Sequence, residues 1–169
     1  MMGVKEVADL YRLLENAEVK IWIDGGWATD ALLGKETREH SDLDIAVEQK
    51  DAAKLRTLLE ERGYKEVSRD DTSEWNFVLH DGEGQVDVHV FIADEKGEVV
   101  GGIPYPTESL KGQGTITGHT VHCISAEHMV KFMAEWVHKH PEKYMPDIAA
   151  LCEKFAIPYP EEYEKLQRR

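Results

Sequence analysis

Two short runs, Asp42-Leu43-Asp44-Ile45-Ala46-Val47 and Val86-Asp87-Val88-His89-Val90, constrain the fold of this chain more than any other segment. In both, apolar residues alternate with acids, which is the period of a half-buried strand. Strand residues two apart share a face. Leu43, Ile45 and Val47 are therefore expected to face a core, with Asp42 and Asp44 together on the other side. Val86, Val88 and Val90 repeat the arrangement, with Asp87 and His89 opposite them. Carboxylates held this close raise each other's pKa unless a cation neutralises them. A few hard oxygen ligands suit Mg²⁺, which keeps several waters and takes further ligands from a substrate's phosphates.

The segment before the paired acids points to a phosphate. Ile21-Trp22-Ile23 reads as a strand, ends at Asp24-Gly25-Gly26, and gives way to a short helix over Trp27 to Leu33. Two glycines at such a turn let backbone N–H groups approach a ligand closely, and a helix N-terminus favours anions. Arg38 and His40 come just before the acids. A guanidinium suits bidentate contact with phosphate, so Arg38 is the candidate for the triphosphate. The alternative is a surface arginine paired with Glu36 or Glu39. Asp30 lies one helical turn beyond the glycines, where it either fixes the loop or meets the ligand.

The rest of the chain reads as alternating short elements. Helices are expected over Val4 to Glu15, Asp51 to Glu61 and Ala126 to Val137, the last capped by Ser125. Another opens at Pro141 and runs to Phe155, with Pro146 as a kink or restart. Short strands are expected over Tyr64 to Val67 and Val121 to Ile124. A hairpin joins Trp75–His80 to Gln85–Phe91. Residues 93–118 read as turns with short strands, and Tyr159 to Arg169 as a loosely docked helix. Strands and helices in this order give an α+β arrangement. The expected division is a core over 1–124 and a helical segment over 125–169, packed as one compact unit.

Composition narrows the partners. The 169 residues carry 33 acids against 20 basic residues, a net charge of −13. That argues against long nucleic acid, where basic surface supplies most of the affinity. It is compatible with a cationic small substrate, and equally with simple solubility. No stretch approaches the roughly 20 apolar residues of a membrane helix, and the first residues lack the pattern of a secretory signal. Cys123 and Cys152 give no disulfide framework or metal spacing, which suits a reducing cytoplasm.

Rival site readings are weaker. Counting from Asp42 as a calcium loop, position six is Val47 instead of glycine and position twelve is Ala53 instead of Glu. His119 and His122 fall on opposite strand faces, with no second ligand cluster to make a zinc site. Trp27, Trp75 and His89 are candidates for the wall of an acceptor pocket, with core packing the alternative for both tryptophans.

Glycine pair, helix, Asp-x-Asp strand and later lone acid form the layout of the DNA polymerase beta-type nucleotidyltransferases. Gly25-Gly26-Trp27-Ala28-Thr29-Asp30-Ala31-Leu32-Leu33-Gly34 and Thr37-Arg38-Glu39-His40-Ser41-Asp42-Leu43-Asp44 resemble small antibiotic adenylyltransferases, the lincosamide nucleotidyltransferases most. The 2''-aminoglycoside nucleotidyltransferases are more distantly similar. The resemblance implies a short twisted mixed sheet flanked by helices, ATP and Mg²⁺ as co-substrate and cofactor, and a homodimer. It implies Asp42, Asp44 and Asp87 as metal ligands, with Asp87 also a candidate base. Gly25, Gly26, Asp30, Arg38 and His40 are the expected nucleotide residues. AMP would pass to a hydroxyl of a lincosamide. The alternatives are an aminoglycoside, a non-antibiotic acceptor, or nucleotide binding without catalysis.

Overall fold

A computed structural model describes residues 1–169. Eight strands form one mixed sheet: β1 (Ile21–Asp24), β2 (Asp42–Glu48), β3 (Lys65–Val67), β4 (Asn76–His80), β5 (Gln85–Ala93), β6 (Val99–Gly102), β7 (Gly112–Ile116) and β8 (His119–Cys123). Their order across the sheet is β3-β4-β5-β2-β1-β8-β7, and β5 runs past the end of β4 to pair with β6. The helices are α1 (Val4–Asn16), α2 (Gly25–Leu33), α3 (Gln49–Glu60), α4 (Ala126–Trp136), α5 (Pro141–Phe155) and α6 (Glu161–Gln167). The arrangement is α+β, as the element order implies.

The alternation in the acid-bearing strands decides which face is buried. Leu43, Ile45 and Val47 of β2 and Val86, Val88 and Val90 of β5 are all buried, while Asp42, Asp44, Asp87 and His89 keep partial exposure. β2 and β5 pair in parallel with Asp44 opposite Asp87 and Ala46 opposite His89. On its other side β2 runs antiparallel to β1, which sets Asp24 opposite Asp44. Two crossings of the sheet thus bring residues 24, 44 and 87 to one row.

Local chemistry sets the helix bounds. The glycines lie inside α2, not before it, because Asp24 acts as the N-cap and accepts from the Gly25 N–H at 2.8 Å. Gly34 closes the same helix at φ 73°, a conformation glycine adopts without a Cβ penalty. Ser125 caps α4 by accepting from the His128 N–H. Pro146 does not restart the helix, since α5 runs unbroken from Pro141 to Phe155 with Pro146 inside it. Pro146 has no N–H to give the Glu142 carbonyl the usual helical bond, and Glu142 lies on an exposed turn. Within 93–118 the chain forms β6, a 3₁₀ turn over Thr107–Lys111 and β7. Its Tyr105 is buried in the main core. Tyr163 anchors α6 in the same core. No helix is long and apolar enough to cross a membrane.

Candidate active site

The three acids named from the strand pattern converge. One carboxylate oxygen from each of Asp42, Asp44 and Asp87 lies within 4.8 Å of the others. Burial pushes the Asp44 carboxyl above its ordinary value, and the charges of Asp42, Asp24 and Asp87 push it further. Burial also raises Asp87, helped by Asp42 and opposed by a hydrogen bond from the Gln85 amide and by the Arg69 guanidinium. Gln85 Nε2 is 2.8 Å and Arg69 Nη1 3.7 Å from the Asp87 carboxylate. His89 Nε2 lies 3.6 Å from Asp44 Oδ1. Burial disfavours its imidazolium, but the adjacent Asp44 carboxylate and the surrounding acids outweigh that and raise its pKa. Three half-buried acids whose charges oppose one another form a site suited to a hard cation.

The glycine turn touches this group. Gly25 has φ 61°, and a Cβ there would collide with the Asp44 carboxylate. Gly26 lies under His40 and Arg38, with no room for a side chain. Gly25, Gly26, Arg38, His40, Asp42 and Asp44 line one cleft. Its far wall comes from α4 and α5, through Met129, Met133, Lys143, Tyr144 and Asp147.

Other expected site residues sit differently. The side chains of Asp30 and His40 are 2% and 3% exposed and bond to each other at 2.6 Å. Asp30 also accepts from the Thr37 hydroxyl. Asp30 therefore fixes the loop instead of reaching into the cleft. Arg38 is not the surface arginine of the alternative reading: it contacts His40 and Asp147 at 3.1 Å each. Trp27 follows the core-packing alternative. It is 2% exposed, packs under His40 with ring centroids 4.7 Å apart, and lies outside this cleft. Trp75 lies in the turn before β4, half-buried beside Gly102, and outside this cleft. His119 pairs with Glu15 at 3.0 Å.

Several contributors gave no sequence signal. Asp24 accepts from the Tyr105 hydroxyl at 2.8 Å and stands beside Asp44. Burial and the Asp24 charge hold the Tyr105 phenol well above its ordinary pKa. Asp147, Lys143 and Tyr144 come from a helix whose amphipathic pattern is that of ordinary packing. Only the strand-end position of Asp24 before Gly25 could have marked it in advance.

Residues 6–149 match the aminoglycoside-2''-adenylyltransferase family. The chain belongs to that family of adenylyltransferases. It is 34% identical to a lincosamide resistance protein of Staphylococcus haemolyticus over 95 residues, which is 56% of this chain and 58% of that protein's length. A 2''-aminoglycoside nucleotidyltransferase of Escherichia coli is 28% identical over 85% of this chain and 86% of its own. The crystal structure of the lincosamide antibiotic adenylyltransferase LnuA with lincomycin bound superposes with TM-score 0.72 at 27% identity, covering 91% of this chain and 97% of that one. The nucleotidyltransferase fold expected from the strand and glycine pattern is thereby shown.

Proposed function

We propose that the chain transfers AMP from ATP to a hydroxyl of a lincosamide antibiotic and releases pyrophosphate. The observation that carries the reaction is the convergence of Asp42, Asp44 and Asp87 beside the Gly25-Gly26 turn. Asp42, Asp44 and Asp87 would hold Mg²⁺, whose chemistry there is to neutralise the acids and withdraw charge from the reacting phosphate. Asp87 takes the proton of the acceptor hydroxyl, either directly or as its charge develops. The hydroxyl oxygen bonds to the α-phosphorus, the bond from that phosphorus to the β-phosphate oxygen breaks, and pyrophosphate leaves with the electron pair. Arg38 and Lys143, both lining the cleft, are placed to neutralise the phosphates. Positioning and charge stabilisation are what phosphoryl-type transfers chiefly require of a protein.

The acceptor reading rests on the match to the lincosamide resistance protein and on what surrounds the acids. A guanidinium, Arg69, and an imidazole, His89, stand against Asp87 and Asp44. The fixed guanidinium of Arg69 beside Asp87 disfavours an ammonium group placed there, which suits a lincosamide with its single amine better than a polycationic aminoglycoside. His89 and Trp75 are the proposed acceptor contacts. An aminoglycoside acceptor is the second reading, favoured by the family match over 6–149 and by the net charge of −13. The same reading expects a homodimer, which light scattering of the purified protein tests. Pyrophosphate release with mass spectrometry of lincomycin, clindamycin, kanamycin and tobramycin separates the acceptors. A lincosamide gaining one AMP supports the proposal. Adenylylation of kanamycin or tobramycin alone transfers it to the second reading, and no product from any acceptor removes both.

A further inference from the structure

Arg38 is gripped from two distant parts of the chain. Its Nη1 lies 3.1 Å from His40 Nδ1 and its Nη2 3.1 Å from Asp147 Oδ2, which α5 contributes 109 positions later. A guanidinium only donates. His40 Nδ1 must therefore accept, which places the imidazole proton on Nε2, facing Asp30 Oδ2 at 2.6 Å. The result is one line of contacts, Asp30–His40–Arg38–Asp147, running from α2 through the loop before β2 to α5. Asp30, His40 and Asp147 are all buried.

Asp147 is out of place on simple electrostatic grounds. A carboxylate lining an anion-binding cleft repels the anion. Attraction is therefore not what it supplies. A guanidinium on a flexible stem recognises phosphate through its planar fork, and the fork's direction matters as much as its charge. Two anchors on Nη1 and Nη2 fix the plane. Arg38 Nε is buried and has no partner in the protein. An unsatisfied donor of that kind is costly unless a ligand completes it.

We propose that Asp147 is a positioning residue for the nucleotide's phosphates, acting through Arg38. The inference rests on the reading of the cleft as the nucleotide site. It makes the helical segment after residue 124 a working part of that site. Holding the fork in advance spares the ordering that binding would otherwise require.

Calorimetric titration of the full chain with Mg²⁺ and a non-hydrolysable ATP analogue tests this. The proteins are wild type, Asp147→Ala, Asp147→Asn, Arg38→Ala and the Arg38→Ala/Asp147→Ala double variant. Arg38→Ala and Asp147→Ala are each expected to weaken binding by about tenfold or more, the scale of a charge-assisted hydrogen bond. The double variant should bind no more weakly than Arg38→Ala alone, because the two residues act as one unit. Asp147→Asn, which keeps an acceptor, should recover most of the affinity. A structural role alone would instead weaken binding equally in both backgrounds, and that result overturns the proposal. So does wild-type affinity in Asp147→Ala alongside weakened Arg38→Ala, which leaves the nucleotide reading intact. A wild type that binds no nucleotide removes the reading and the proposal together. If Asp147→Ala does not fold, Asp147→Ser, too short to reach Arg38, takes its place in the same cycle.

Discussion

Gly25 lies so close to the Asp44 carboxylate that any side chain on it would collide with Oδ2. The glycine is therefore fixed twice, by its φ of 61° and by its neighbour. Gly25→Ala is expected to cost about 1–3 kcal/mol, the range for a residue forced into a sparsely populated backbone region. For a chain of this size that is roughly 2–4 °C of Tm per kcal/mol. It should also displace Asp44 and lower turnover. Thermal melting and an activity assay on one preparation check both, and an active variant with unchanged Tm would contradict the close approach.

Asp44 should make the metal-free protein weaker at neutral pH. Its folded pKa is raised, by burial first and then by the acids around it. A raised carboxyl contributes stability below its unfolded pKa, near 4, and loses it as pH rises through the folded value. Asp44→Asn removes that loss. In EDTA the variant is expected to melt above wild type at pH 7.5, with the gap closing toward pH 4. Added Mg²⁺ should raise the wild-type Tm at pH 7.5 and leave the variant almost unmoved. A variant less stable than wild type in EDTA at pH 7.5 would show that the acids do not strain the site.

Asp87→Asn separates chemistry from binding. The Gln85 amide can still meet the substituted side chain, so local structure should hold. Loss of the base and of one ligand charge should lower kcat by about 10²–10⁴-fold. Nucleotide binding, followed by calorimetry, should change far less. Equal losses in both would demote Asp87 to a binding role.

Tyr105→Phe tests the contact behind the glycine turn. It deletes the hydroxyl that donates to Asp24 at 2.8 Å and leaves the ring packing with Phe91 and Phe132. The expected loss is about 1 kcal/mol, a typical single hydrogen bond. Because Asp24 caps α2 and borders Asp44, turnover should fall with it. Stability lost without activity would confine Tyr105 to packing.

The sequence was most legible where one residue does two jobs. Alternation in 42–47 and 86–90 buries valines and leucines, and the same alternation exposes the acids, so one pattern yields both sheet and site. Gly25 and Gly26 were legible because a strand-to-helix turn and a phosphate loop demand the same residue. Asp30, Trp27 and His40 could be named but not assigned. Whether a polar side chain one turn from a glycine faces ligand or loop depends on what packs over it, here Trp27 under His40. Asp147 and Tyr105 were beyond reach because their partners lie 109 and 81 residues away. No local spacing encodes such a meeting. The helix expected from Trp27 began two residues earlier because Asp24 caps it, a local effect hidden by the glycines.

The register of β2 against β5, Asp44 opposite Asp87, also bears on how errors in folding are handled. These strands are joined through α3, β3 and β4, so their parallel pairing closes only after the intervening chain has folded back. A slip of one residue in β5 would turn Asp87 inward and set Val86 or Val88 in water. Such a chain would bury a charge and expose an apolar strand at once. The acid row and the apolar row therefore penalise the same slip together, so the residues that make the site also hold the sheet in register.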